Sequence, residues 1–374
     1  MQKKENYHYT ERYVLYPSFL KKTPATDLFQ VVVIPSFNEQ YILQTLTSLH
    51  NCVETNYPVE VVVVINSAVS SKSEILMQND TTEQDVLKFA AEHNTEKLTF
   101  HSIHVKNLPD KHAGVGMARK IGMDEAARRL QTIDQPNGII VCLDADCTVQ
   151  KNYLVEIEKH FLENKVTPAC SIYFEHPLEG HDFDSSIYNA ILNYELFLRY
   201  YNLSLKVVGF QYPYHTIGSC MAVRSWAYQK QGGMNKRKAG EDFYFLQKIF
   251  HLGNFSELMS TTVYPSPRTS DRVPFGTGSA ITKQIITNSE NYTAYAFESF
   301  EMLTPFFKAV KTVALQEQSF NLYGFAEPLQ EFLKHHQANE KMEEFKKNST
   351  SARYFQQRFY YWFDGFMVLK FMHF

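Results

Sequence analysis

Two acidic pairs carry the first chemical signal in this chain. Asp144 and Asp146 stand one residue apart where the apolar run 138–143 ends. Two carboxylates at i and i+2 beyond a buried strand can both approach one divalent cation. Hard cations such as Mg²⁺ and Mn²⁺ favour such oxygen ligands and bring substrate phosphates with them. A D-x-D triplet is also common as a plain helix cap, so the triplet needs its context. The second pair, Glu241-Asp242, follows Gly240 and opens an apolar-periodic stretch running to about His251. Alone it reads as an acidic first helical turn.

The elements that must hold these acids follow from pattern. The runs 29–35 (FQVVVIP) and 59–65 (VEVVVVI), a less regular one at 98–105, and 138–143 read as strands. Helical spacing lies between them at 39–49, 82–93 and 115–130. This alternation predicts an α/β fold: a parallel sheet with helices on both faces, and continuous rather than alternating apolar strands. Ligands bind such sheets beyond the carboxyl ends of the strands, where Asp144 and Asp146 lie. A helix at 152–162, strands at 169–174, 218–224 and 257–264, and a long aromatic-rich helix at 185–205 follow. The loop 266–278 is rich in Pro, Gly and Arg, and residues beyond 286 read as mainly helical. The expected organisation is a lead-in at 1–27, a catalytic layer at 28–285 and a helical extension at 286–374.

Composition excludes several classes. The 374 residues carry a formal net charge of −3, which gives no bulk attraction to nucleic acid. Neither a G-x-x-x-x-G-K-[ST] loop nor a G-x-G-x-x-G fingerprint is present. The histidines lack zinc-site spacing. Five cysteines without a C-x-x-C pair fit structural thiols in a reducing compartment. The N-terminus lacks a signal-peptide core and no apolar run is long enough to span a bilayer; a cytoplasmic protein is expected. The aromatic C-terminus, 354–374, suits packing in a core or a subunit interface, a homodimer included, and secondarily peripheral contact with the inner face of the cell membrane.

In order and spacing these pieces resemble family 2 glycosyltransferases of the GT-A fold. The segments that carry the resemblance are VVVIPSFNEQYILQTLTSL (31–49), VEVVVVINSA (59–68), AGVGMARKIGMDEA (113–126), VCLDADC (141–147) and GGMNKRKAGEDFYFLQKI (232–249). The resemblance implies metal-dependent inverting transfer from a nucleotide-diphosphate sugar, a UDP-sugar first, to a hydroxyl on a glycan or lipid-linked acceptor in cell-surface polysaccharide synthesis. It implies Mn²⁺ or Mg²⁺ at Asp146, with Asp144 on the ribose or reaching the metal through water. It makes Asp242 the catalytic base, with Glu241 beside it. Pro35, Phe37, Glu39, Asn66 and Arg119 are expected around the nucleotide, and Arg268 and Arg272 near the diphosphate. Asn66 stands where the family often has Asp. The alternatives are a nucleotidyltransferase, which would need a Gly-rich basic loop after the first strand where 36–39 read SFNE, and a noncatalytic protein that keeps the fold.

Overall fold

A computed structural model describes residues 9–270, 276–287, 292–316 and 320–374. The chain divides into two compact units: Met1–Leu192 with Thr216–Asn288, and Asn193–His215 with Ser289–Phe374. The division falls within one long helix, α5 (Ser185–Val207).

The first unit is built on an eight-stranded sheet of order β3-β2-β1-β4-β7-β6-β8-β5. Its parallel half comprises β1 (Gln30–Ser36), β2 (Val59–Ala68), β3 (Leu98–Leu108) and β4 (Ile139–Cys142). Every residue of β1 and β4 is buried, which is why these strands read as unbroken apolar runs. Pro35 sits in β1 beyond its last rung with β4, Val33↔Cys142, so its missing N–H interrupts no bond on that side. The helices α1 (Ile42–His50), α2 (Ser73–His93) and α3 (Val115–Thr132) connect these strands.

The other half is mixed. β7 (Met221–Arg224) runs antiparallel to β4 and to β6 (Ala169–Phe174), and β6 runs parallel to β8 (Ser256–Tyr264). β5 (Thr148–Val149) closes the edge against β8. α4 (Tyr153–Glu163), α6 (Ser225–Lys230), α7 (Glu241–Phe250) and α8 (Thr277–Thr287) complete the unit.

Three local expectations are corrected. α2 begins at Ser73, nine residues before the expected 82; its first turns hold the consecutive apolar residues Ile75, Leu76 and Met77 and then polar ones, which gives no helical stripe. β5 and α6 are too short to leave a periodic signal. Within the lead-in, 9–13 is helical, and the segment lies along α3. There Tyr9 Oη donates to Asp124 (2.6 Å), and Ser18 Oγ and the Leu20 N–H donate to Glu125 (2.8 and 3.1 Å). Asp124 and Glu125 on α3 are buried beneath this segment.

The second unit is helical and aromatic. Phe300, Phe306, Phe307, Phe332, Phe359 and Phe363 form the centre of its core. The C-terminal run is two helices, Ala352–Trp362 and Gly365–His373. Asp364 breaks it by accepting from the Phe366 and Met367 N–H groups. Most of its aromatics are spent on this core, while Tyr354, Tyr361, Phe366 and Phe374 stay exposed. Among the described residues no helix is long and apolar enough to cross a membrane.

Candidate active site

The chain leaves β4 at Cys142 and turns at once. The Cys147 N–H donates to the Asp144 carbonyl (3.1 Å), and Thr45 on α1 donates to the Ala145 carbonyl (2.9 Å). This pinned turn holds Asp144 and Asp146 at the carboxyl end of the strand, with side chains 37% and 26% exposed. Neither acid lacks a partner. Arg119, from the second turn of α3, binds Asp144 through one guanidinium nitrogen and Glu241 through another. The Arg119 and Glu241 side chains are each only 3% exposed. The strand-end acid and the E-D pair, far apart in sequence, therefore meet at one buried cation.

Gly218 makes room for that cation. A Cβ there would stand 2.5–2.6 Å from the Arg119 guanidinium. Its backbone N–H also bonds to Asp242, as does the Phe243 N–H (2.7 Å). Burial raises the Asp242 carboxyl above its ordinary 3.8, against the downward pull of Arg119 and these N–H bonds. Burial likewise pushes Glu241 up to about 7, while Arg119 opposes the shift. Desolvation outweighs the favourable field of the helix N-terminus here.

A second cluster lies at the end of β1. Glu39 is buried and receives both terminal nitrogens of Arg268, and Arg268 also reaches Asp146 (2.8 Å). Arg268, expected near the diphosphate, therefore joins the β1 loop to the β4 turn. Asn38, at φ 50°, donates its N–H to Asn79 on α2 (2.8 Å), and Thr82 donates to the Glu39 carbonyl (2.8 Å). Asn79 also donates to the Asn66 carbonyl, and Asn66 donates to the Gly114 carbonyl (3.0 Å). Pro35, near the end of β1, is buried, and Phe37, on the loop that follows, is half-buried. Arg272 lies outside the described residues.

Sequence reasoning missed Gly218 and Asn79. The one signal for Gly218 was a glycine just ahead of a strand. Asn79 had none, being one polar residue among many on α2.

The acids fit a divalent cation by their chemistry. They offer oxygen donors alone, part-exposed at a strand end. A cation carried by a diphosphate takes only one or two carboxylates from the protein. Among the described residues a three-ligand group occurs elsewhere, at Asp80, Glu83 and His104 on α2 and β3; there Lys106 already pairs with Asp80 (2.6 Å).

Residues 31–230 match the family described as Glycosyl transferase family 2. The chain belongs to that family and is a nucleotide-sugar glycosyltransferase. The matched stretch includes Asp144, Asp146 and Arg119 and ends before Glu241. Among solved structures the chain is similar to S. aureus TarS 1-349, at 15% identity and TM-score 0.43, covering 89% of this chain and 91% of that one. The same TarS fragment in complex with UDP-GlcNAc gives TM-score 0.45 at the same identity and coverage. No curated protein matches the sequence.

Proposed function

We propose that the protein is a metal-dependent inverting glycosyltransferase that moves a sugar from a UDP-sugar to a hydroxyl acceptor in cell-surface glycan synthesis on the cytoplasmic side. The observation that carries this reading is the buried Arg119, which ties Asp144 to Glu241 beside Asp242. It joins the strand-end acids to the E-D pair in one assembly.

In the proposed reaction the acceptor oxygen bonds to the anomeric carbon as the bond from that carbon to the diphosphate breaks. Asp242 takes the hydroxyl proton. Its raised pKa suits it to that role, because a base whose pKa is nearer the working pH accepts the proton with more driving force. Arg119 holds Glu241 and Asp144 in fixed positions, which keeps Asp242 aligned against a rigid neighbour. Asp146, with Asp144 on the ribose or through water, would hold Mn²⁺ or Mg²⁺, which neutralises charge developing on the leaving diphosphate. Glu39, Phe37, Pro35 and Asn66 would line the nucleoside, and Arg268 would meet the diphosphate after leaving its ion pairs.

The test is thermal denaturation with a panel of nucleotide sugars, with and without Mn²⁺. A ligand that binds only the folded protein raises the midpoint by mass action. UDP-sugars should stabilise only with the metal, and equal stabilisation in excess EDTA would remove the metal from the proposal.

A further inference from the structure

A second place in the first unit brings metal-ligating side chains together, away from the strand-end acids. On α2, Asp80 and Glu83 stand three residues apart and so share one helix face. On β3, His104 and Lys106 stand two apart and so share one strand face. α2 packs on β3, and the two faces meet. One ligand atom from each of Asp80, Glu83 and His104 lies within 4.8 Å of the other two. No spacing motif announces the group, because its ligands come from a helix and from the strand that follows it.

The imidazole separates this group from an ordinary acidic cluster. The His104 side chain is 5% exposed, and its Nδ1 points at both acids, 2.8 Å from Glu83 Oε2 and 3.8 Å from Asp80 Oδ1. Its Nε2 is buried and meets no hydrogen-bond partner. With the ring proton on Nε2, the Nδ1 lone pair faces two carboxylates, an arrangement that calls for a cation among them. Lys106 supplies one through Asp80 (2.6 Å), and both partners of that pair are about half exposed. So exposed a pair is weak, and a divalent ion displaces it at little cost. Asp80 and Glu83 are 54% and 28% exposed, so an ion can enter from solvent and keep water in its remaining positions.

We propose that Asp80, Glu83 and His104 form a binding site for a divalent transition metal of the Zn²⁺ class, separate from the cation proposed at Asp146. One nitrogen and two oxygens suit Zn²⁺ better than Mg²⁺, which takes oxygen ligands. The ion fastens α2 to β3. The same helix carries Asn79 and Thr82, which hold the Asn38 N–H and the Glu39 carbonyl, so the site braces the loop expected around the nucleoside. The proposal does not depend on the reaction assigned to the chain.

The test is titration of the full chain, free of nucleotide, with Zn²⁺ in competition with a chromophoric chelator, followed by thermal denaturation. The wild type should take up Zn²⁺ and gain in melting midpoint. H104Q and E83Q should each bind Zn²⁺ at least about tenfold more weakly, since even residues that only support a metal ligand contribute that much. K106Q changes an exposed residue and removes the competing cation. It should bind Zn²⁺ about 1.4- to 5-fold more tightly, the worth of an exposed ion pair, a gain that a merely structural cluster would not give. D146N should take up Zn²⁺ as the wild type does. Uptake unchanged in H104Q and E83Q would overturn the proposal. So would uptake lost in D146N and kept in H104Q, which would place the ion at the strand-end acids, and so would a wild type that takes up no Zn²⁺.

Discussion

Replacing Arg119 with Met tests whether the buried cation organises the site. The substitution keeps most of the side-chain volume and removes both ion pairs. Asp144 is 37% exposed and water can solvate it, so little of the effect comes from that side. Glu241, at 3% exposure, is left as a buried carboxylate with no cation. Breaking a buried pair by removing one partner costs about 3–5 kcal/mol. At roughly 2–4 °C per kcal/mol for a unit of this size, the midpoint should fall by about 6–20 °C at pH 8. The deficit depends on pH with a definite sign. Burial already pushes Glu241 up to about 7, and losing Arg119 removes the largest downward pull. A carboxyl with a raised folded pKa contributes full stability below its unfolded value, near 4.5, and loses it as pH rises through the folded value. The variant should therefore approach wild type near pH 4.5 and fall furthest behind above pH 7. Adding Glu241→Gln should recover most of the loss. Thermal unfolding at pH 5 and pH 8 reads all of this. A loss under about 1 kcal/mol, equal at both pH values, would refute a buried ion pair as the organising element.

Further outcomes follow from the same geometry. Gly218→Ala drives a methyl into the Arg119 guanidinium; transfer should drop by about tenfold or more, as for a misplaced catalytic group, and an unchanged rate would mean the guanidinium can shift freely. Because the Asp242 carboxyl sits above its ordinary value, kcat/KM should fall as pH drops through an apparent pKa higher than 3.8; an acidic limb at or below that value would contradict a buried base. Arg268→Gln removes the cation that joins Glu39 to Asp146; calorimetric titration should show Mn²⁺·UDP binding weakened, because the proposed diphosphate contact is lost, while the melting midpoint falls, and a rise in the midpoint would mean the pair is not stabilising.

Much of the catalytic unit was legible because its physics is local. β1, β2, β4 and β6 are fully or largely buried, so their apolar runs could hardly be read otherwise. The D-x-D turn was visible because acids ended such a run. The partnerships were not visible. Nothing in the spacing of Arg119, Asp144 and Glu241 says that one guanidinium serves both acids, since that contact crosses from α3 to β4 and α7. The pairing of Arg268 with Glu39 spans 229 residues, and loop composition alone carries no sign of its partner. The burial of Asp124 and Glu125 on α3 was not legible, because the lead-in that covers them has no periodic pattern. In the C-terminal run the aromatics announced a core, but a single aspartate at 364 decided that it would be two helices.

The most direct measurement of the central claim is sugar transfer and donor binding by Asp242→Asn. The amide keeps size and hydrogen bonding and cannot accept the proton. UDP-sugar with Mn²⁺ should bind with nearly wild-type affinity, because the donor contacts are proposed on other residues. Transfer to a hydroxyl acceptor should fall by roughly two to four orders of magnitude, the usual share of general base catalysis, and that split marks a group acting in the transition state. An Asp242→Asn protein that transfers sugar at the wild-type rate would contradict the account.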